Sequence, residues 1–147
     1  MTIEQVDQLT DSQIADLTAL YQHEWWSAGR SPDDVRRMLA HTDLIFGFID
    51  RRNDRLVAFC RVLTDFTYRA TVYDVIVSPE YRGSGLGRRL VQTVLGDLRL
   101  KQVAAISLHC KEELRPFYLK CGFELANPLQ IWMQSVRKND SQKESSR

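Results

Sequence analysis

Residues 77–88 hold three glycines and two arginines in a run that could bind an anion, Val77-Ser78-Pro79-Glu80-Tyr81-Arg82-Gly83-Ser84-Gly85-Leu86-Gly87-Arg88. A β-branched stretch typical of a strand precedes the run, and an amphipathic stretch typical of a helix follows it. Glycines let the backbone turn with positive φ and approach a ligand without a Cβ in the way. The first amides of a helix lack intrahelical partners, and the helix dipole favours negative charge beside them. The pattern therefore predicts a bound diphosphate.

Two other diphosphate-binding motifs do not fit this loop. A nucleoside-triphosphate loop requires Lys followed by Ser or Thr, whereas Arg88-Arg89 follow Gly87. A dinucleotide fingerprint requires G-x-G-x-x-G and an acidic residue at the end of the next strand. The glycines here are spaced G-x-G-x-G, and the next predicted strand ends in His109-Cys110. A tight turn without a ligand is the remaining alternative, and the adjoining strand, proline, arginine and helix disfavour it.

The loop resembles the signature of the GNAT superfamily of N-acetyltransferases. The segment 82–87 fits that superfamily's Q/R-x-x-G-x-G/A pattern in full, and V-x-P precedes it as the pattern requires. About 30 residues later, the segment Phe117-Tyr118-Leu119-Lys120-Cys121-Gly122-Phe123 resembles a second landmark, a helix bearing F-Y followed by G-F. The two motifs span positions 71–123, about a third of the chain. Two motifs at this separation make the resemblance specific.

The resemblance implies acetyl-CoA as co-substrate, no metal, and direct attack of an amine on the thioester without a covalent acyl-enzyme. It implies that the strands ending at Val77 and Cys110 are parallel neighbours that splay apart, with coenzyme A in the gap. The pantetheine is then expected to pair with the backbone of positions 75–77, as an added strand would. The residues expected to bind the donor are Val75, Ile76, Val77, Arg82, Gly83, Ser84, Gly85, Leu86, Gly87 and Arg88.

Direct acetyl transfer needs an uncharged amine, a polarised carbonyl and a proton for the departing thiolate. A backbone N–H near Ile76 or Val77 is a candidate for stabilising the oxyanion. Tyr118 is the candidate acid, because the resemblance places a tyrosine beside the sulfur. The alternative role for Tyr118 is packing on an amphipathic helix.

Asp74 is the candidate general base, because aspartate is disfavoured inside a strand of otherwise β-forming residues. Such a carboxylate is exposed, paired, or directed into a cleft. His109 has a suitable intrinsic pKa, and Glu112 and Glu113 open the next helix, where acidic residues also suit the dipole. These three are weaker candidates for the base.

The acceptor amine is expected to enter from the other side of the sheet, near the loop between the first two helices. Four residues cluster there, and they are Tyr21, Trp25, Trp26 and Arg30. Adjacent residues lie about 100° apart on a helix, so Trp25 and Trp26 cannot both face the core. Each of these rings either forms part of a pocket wall or is partly buried at the surface.

The predicted elements place the candidate residues on one sheet. In chain order they are a strand at 3–6, a helix from 11 with Asp11 or Ser12 as its cap, a helix capped by Ser31, strands at 44–50, 56–64 and 71–77, a helix at 85–100, a strand at 104–110, a helix at 112–121 and a strand at 131–136. This order predicts an α/β fold with one mixed sheet. The resemblance further implies a mostly antiparallel sheet, helices on both faces and a central splayed parallel strand pair.

The composition predicts one domain over residues 1–137 and a disordered tail over 138–147. A net charge of +1 gives no indication of nucleic acid or membrane partners, and no apolar run approaches the roughly 18–20 residues that span a bilayer. The first residues lack the pattern of a signal peptide, so the cytoplasm is the expected location. Cys60, Cys110 and Cys121 are expected to be free thiols.

The sequence thus predicts an N-acetyltransferase that moves an acetyl group from acetyl-CoA to the primary amine of a small molecule. Residues 73–77 resemble the acid-bearing strand of hexosamine-phosphate N-acetyltransferases. Acetylation of proteins or peptides is an alternative within the class, and a non-catalytic acyl-CoA-binding module is an alternative outside it. A homodimer is possible, because apolar residues near the C-terminus suit an interface as well as a core, namely Leu129, Ile131, Trp132 and Met133.

Overall fold

The computed structural model describes residues 2–137, which form one five-stranded sheet in the order β1-β2-β3-β4-β5. The strands are β1 (Ile3–Val6), β2 (Leu44–Asp50), β3 (Arg55–Thr64), β4 (Arg69–Val77) and β5 (Ala105–Ser107), and the helices are α1 (Asp11–Gln22), α2 (Pro32–Ala40), α3 (Leu86–Leu95) and α4 (Arg115–Lys120). Strands β1 to β4 pair antiparallel, and β4 pairs parallel with β5. The predicted mixed, mostly antiparallel sheet is confirmed.

Helices cover both faces of the sheet, as predicted. On one face, α3 buries Leu90 and Val94 against a core that includes Phe46 and Phe48 of β2. On the other face, α1 and α2 bury a second apolar cluster against β3 and β4, consisting of Leu17, Leu20, Tyr21, Val35, Leu56, Phe59 and Ile76. The two layers fix the sheet between them, and the second layer includes Tyr21, one of the predicted acceptor residues.

Local signals set most helix ends. Thr10, and not Asp11 or Ser12, caps α1, because its hydroxyl accepts the Gln13 N–H while the Gln13 side chain accepts the Thr10 N–H. The Ser31 cap of α2 is confirmed. Helix α3 is shorter than predicted because it ends at Leu95, before Gly96, and a separate turn follows at 98–100. Helix α4 is also shorter than predicted, beginning after a turn at 112–114.

Strand β4 contains a bulge at Asp74. Tyr73 lies opposite Arg61 and Ile76 opposite Phe59, so two residues of β4 face the single residue between them on β3. Asp74 has φ of +59°, which is unusual for a residue other than glycine. The bulge aims the Asp74 side chain toward α1 and away from the α3 layer. Hydrogen bonds then fix its position on the α1 side.

The parallel pair is short and separates. Only positions 69–71 of β4 pair with β5, which is three residues long and not the seven predicted, so β4 continues to Val77 without a neighbour on that side among the described residues. The splayed pair is therefore present. Within residues 2–137, the pair lies at one end of the sheet and not at its centre.

The C-terminal segment differs from its prediction. In the described part of the chain, no strand follows β5, so the strand expected at 131–136 is wrong. Among residues 2–137 its backbone has no sheet partner, and the side chains of Ile131, Trp132 and Met133 are exposed. The tail predicted at 138–147 lies outside the described residues. No helix among residues 2–137 combines the length and the apolar character needed to cross a bilayer.

Candidate active site

The glycine loop adopts the backbone that the sequence predicts for an anion site. Gly83 and Gly85 have φ of +77° and +83°, and Gly85 is the residue from which α3 begins. A Cβ added at either position would meet no atom of the described residues within 4 Å, so conformation and not crowding requires glycine there. No side chain in the described part of the chain caps this helix end. The amides of the first turn of α3 are therefore available to an external acceptor.

Gly85→Ala is expected to cost about 1–2 kcal/mol of stability, because alanine is strained in the left-handed region. It should also weaken acetyl-CoA binding, because the new methyl group occupies the open side of the loop. Urea unfolding and calorimetric titration with acetyl-CoA measure the two effects.

Gly29→Ala is the matched control for this variant, because Gly29 has φ of +95° and equally open surroundings away from the loop. It should lose similar stability and retain its affinity for acetyl-CoA. Equal affinity losses in both variants would contradict a binding role for the loop.

Arg82 connects the glycine loop to two other parts of the site. Its Nε donates to the carbonyl oxygen of Val77 at 3.1 Å, and its Nη2 donates to Glu24 Oε1 at 3.2 Å. Glu24 follows α1, in the segment where the acceptor is expected. The predicted donor loop and the predicted acceptor loop are thus joined by one ion pair.

Tyr118 lies on α4, with 8% of its surface exposed. It packs with Val91 of α3 and Cys121, and this small cluster also contacts Val75 of β4 and Leu108, which follows β5. Tyr118 therefore belongs to a cluster that spans the gap between β4 and β5. Burial raises the pKa of the Tyr118 phenol, so the hydroxyl keeps its proton at neutral pH.

Asp74 is paired, which decides among the alternatives that the sequence left open. Its Oδ2 accepts hydrogen bonds from Tyr21 Oη at 2.9 Å, Arg30 Nη1 at 3.0 Å and Arg61 Nε at 2.8 Å. Only 6% of its side chain is exposed, against 14% for Arg61 and 31% for Arg30. Burial and the nearby Asp74 carboxylate raise the pKa of Tyr21. The cluster therefore joins α1, β3, β4 and the loop before α2 through one carboxylate oxygen.

Three of the four predicted acceptor residues meet at this cluster. The Arg30 guanidinium lies over the Tyr21 ring at 4.5 Å and over the Trp26 ring at 5.5 Å. Trp25 points elsewhere, with 72% of its surface exposed and the Lys111 ammonium 4.5 Å from its ring centroid. The two tryptophans thus diverge, but α1 ends at Gln22, so both lie in the turns that follow it and not on a helix as the sequence predicted.

Sequence reasoning missed Arg61, which contributes the shortest contact to Asp74. The available signal was an arginine inside the apolar strand β3, the same kind of anomaly that singled out Asp74. Opposite charges in two neighbouring strands indicate a cross-strand pair. The bulge that brings Asp74 toward Arg61 has no comparable signal.

The weaker candidates for the base lie away from Asp74. The exposed His109 ring lies against Trp132, with centroids 3.9 Å apart and ring planes tilted by 47°. Glu112 pairs with Arg115, and Glu113 lies 4.0 Å from Lys111. None of these contacts involves the cluster around Asp74.

The cysteines are free thiols, as predicted. Cys60 is fully buried opposite the bulge, and burial raises the pKa of its thiol, so it is a packing residue there. Within residues 2–137, no three histidine, cysteine or acidic side chains converge in a way that could hold a metal ion.

Comparison with known proteins agrees with this geometry. The relatives include an uncharacterized N-acetyltransferase from Porphyra purpurea, 32% identical over 91 residues that cover 60% of this chain and 52% of the relative. Serotonin N-acetyltransferase 2, chloroplastic, from Oryza sativa subsp. japonica is 34% identical over 98 residues, or 65% of this chain and 49% of the relative. The matched region thus spans about half the length of these relatives.

The fold is shared with solved acetyltransferase structures. A crystal structure from Xanthomonas campestris pv. campestris, described as belonging to the GNAT family, superposes with a TM-score of 0.80. The two chains are 26% identical, and the match covers 92% of this chain and 94% of the other. The sequence profile of the acetyltransferase (GNAT) family matches residues 7–123. This chain therefore belongs to the acetyltransferase (GNAT) family.

Proposed function

We propose that the protein transfers an acetyl group from acetyl-CoA to the primary amine of a small molecule, by direct attack in a ternary complex. One observation carries the proposal. Gly83 and Gly85 lead into the free first amides of α3 after β4 and the turn at 79–81, and Tyr118 belongs to the cluster that spans the gap where β4 and β5 separate. A diphosphate on the loop amides and a thioester in the gap would suit these two features.

The donor is proposed to lie along the free side of β4. Beyond Thr71, no residue of β4 pairs with β5. The backbone of Val75, Ile76 and Val77 can therefore pair with the extended pantetheine, and an N–H there can stabilise the oxyanion. The family to which the chain belongs supports acetyl-CoA as the donor. The contacts of acetyl-CoA with Val75, Ile76 and Val77 are proposed.

Tyr118 is proposed to give its proton to the departing CoA thiolate, since its phenol stays protonated and belongs to the cluster that spans the gap. Asp74 is proposed to take the proton of the attacking amine. All its hydrogen bonds from the described residues end on Oδ2, which leaves Oδ1 as the accepting atom.

The acceptor is proposed to bind beside Tyr21, Trp26 and Arg30, with Trp25 at the rim. Tyr21 is buried beneath Arg30. Trp26 and Trp25 are therefore the aromatic surfaces that an acceptor can contact, and they favour an amine with an apolar or aromatic body. The Oryza relative's name specifies serotonin, which is an aromatic primary amine, and this supports the same choice of substrate class.

An amine panel read by free CoA release tests the proposal. The panel holds arylalkylamines including serotonin, polyamines, amino sugars and their phosphates, and a peptide with free amino groups. We expect thiol release with at least one small primary amine. Release with the peptide alone would favour a protein acetyltransferase. Calorimetric binding of acetyl-CoA without release from any amine would favour a non-catalytic module.

Location and assembly stay predictions. The sequence alone favours the cytoplasm, whereas the Oryza relative is named as chloroplastic. A homodimer is proposed through the exposed apolar segment that includes Leu129 and Trp132, and sedimentation of the purified protein measures it.

A further inference from the structure

A buried carboxylate at the C-terminal end of β2 is hydrogen-bonded to the glycine loop. Asp50 is the last residue of β2 and is fully buried. Its Oδ2 accepts the hydroxyl of Tyr81 at 2.6 Å and Arg52 Nη2 at 2.6 Å, while its Oδ1 accepts the Arg52 N–H at 3.0 Å. Tyr81 is the last residue of the turn at 79–81, which opens the glycine loop. The contact joins positions 31 residues apart.

Both partners are held in the protonation states that make this bond strong. Hydrogen bonds from Arg52 and then from Tyr81 hold the pKa of Asp50 well below its usual range. The bond to Asp50 raises the pKa of the Tyr81 phenol. A neutral hydroxyl therefore donates to an ionised carboxylate, and such charge-assisted bonds are shorter and stronger than neutral ones.

Tyr81 also organises the loop backbone on its two sides. Its N–H donates to the Ser78 carbonyl oxygen at 2.9 Å, and its own carbonyl oxygen accepts the hydroxyl of Ser84. Ser84 lies between Gly83 and Gly85, the two residues with positive φ. A shift of Tyr81 would therefore move the start of α3, where the free amides lie.

We propose that Asp50, acting through Tyr81, is a positioning residue that sets the loop amides for the diphosphate of the acyl donor. The inference rests on the proposed function, because it assigns the loop to that donor. Asp50 touches neither the loop amides nor the gap beside Tyr118. Its effect is on donor affinity and not on the chemical step.

Tyr81→Phe tests the proposal, because it removes the hydroxyl and keeps the ring that packs on the core. The KM for acetyl-CoA is expected to rise about tenfold, as for a lost bond to a charged group. The turnover number should stay within about twofold of wild type. S-acetylpantetheine is a thioester donor that lacks the diphosphate, and its KM should not change. A merely structural defect would affect both donors alike.

Two further variants make the test specific. Asp50→Asn removes the charge that both Tyr81 and Arg52 contact, and it should produce a selective loss for acetyl-CoA at least as large. The double variant should lose no more than Asp50→Asn alone, because the Tyr81 hydroxyl then has no carboxylate to bind. Tyr68→Phe is the matched control, since Tyr68 is exposed in the turn before β4 and should behave as wild type.

Three results would overturn the proposal. Unchanged acetyl-CoA affinity in Tyr81→Phe would show that the bond does not position the loop. Equal losses for acetyl-CoA and S-acetylpantetheine would show a general structural effect. After either result the proposed function still stands, provided that the wild-type protein transfers acetyl groups from acetyl-CoA. A wild-type protein that does not bind acetyl-CoA in calorimetry would contradict the proposed function itself, and this inference with it.

Discussion

Tyr118→Phe is expected to lower the turnover number about a hundredfold, because the thiolate then leaves without a proton donor. The phenylalanine ring keeps the packing against Phe117 and Phe123, so the fold should be retained. The dissociation constant for acetyl-CoA should change little, since the hydroxyl acts on the departing sulfur. Steady-state kinetics with saturating amine and calorimetric titration with acetyl-CoA measure the two quantities separately.

The pH dependence of the wild-type enzyme gives a second test of Tyr118. Because burial raises its pKa above the ordinary value near 10, the phenol stays protonated as the pH rises toward that value. No loss of turnover from this group is expected below about pH 10. Wild-type turnover in Tyr118→Phe would rule out its role as the acid, whatever the pH profile.

Asp74→Asn is expected to lower the free energy of unfolding by about 3 kcal/mol, the usual cost of removing one partner of a buried ion pair. The variant keeps one carbonyl oxygen but removes the negative charge that Arg61 and Arg30 both contact, and Arg61 is largely buried. Urea unfolding at neutral pH measures the loss. The exposed pair of Asp11 with Arg36 is the matched control, and Asp11→Asn should cost less than about 1 kcal/mol.

The same variant tests the proposed base. If Asp74 accepts the amine proton, Asp74→Asn should remove the acidic limb of the pH–rate profile. The profile must be recorded at a temperature where the variant is folded, so that loss of stability is not mistaken for loss of catalysis. An unchanged acidic limb would rule out Asp74 as the base and leave it a structural role.

The features predicted well from the sequence are those that depend on local geometry. Strand β2 has its predicted bounds, and the loop has its positive φ values at Gly83 and Gly85, because turn chemistry and side-chain alternation act over a few residues. Ser31 and Pro32 likewise fix the start of α2 locally.

The features that failed depend on partners distant in sequence. The apolar run at 131–136 favours a strand, but a strand needs a neighbour, and β5 is only three residues long. The Asp74 cluster draws on α1, β3 and the loop before α2, so no single segment contains its pattern. A lone carboxylate in an apolar strand indicated a special position. Only the structure shows that Tyr21, Arg30 and Arg61 all donate to it.

The bulge at Asp74 is one extra residue in an otherwise regular strand. Val72 and Val75 both pack toward the α3 layer although they lie three positions apart, while Ile76 packs toward α1. Deletion of Asp74 alone would therefore restore regular alternation and leave every later residue of β4 on its present face. A second deletion in the strand would reverse those faces, and the glycine loop would then start from the wrong side of the sheet. The extra residue thus serves the ion-pair cluster and not the pairing of the sheet.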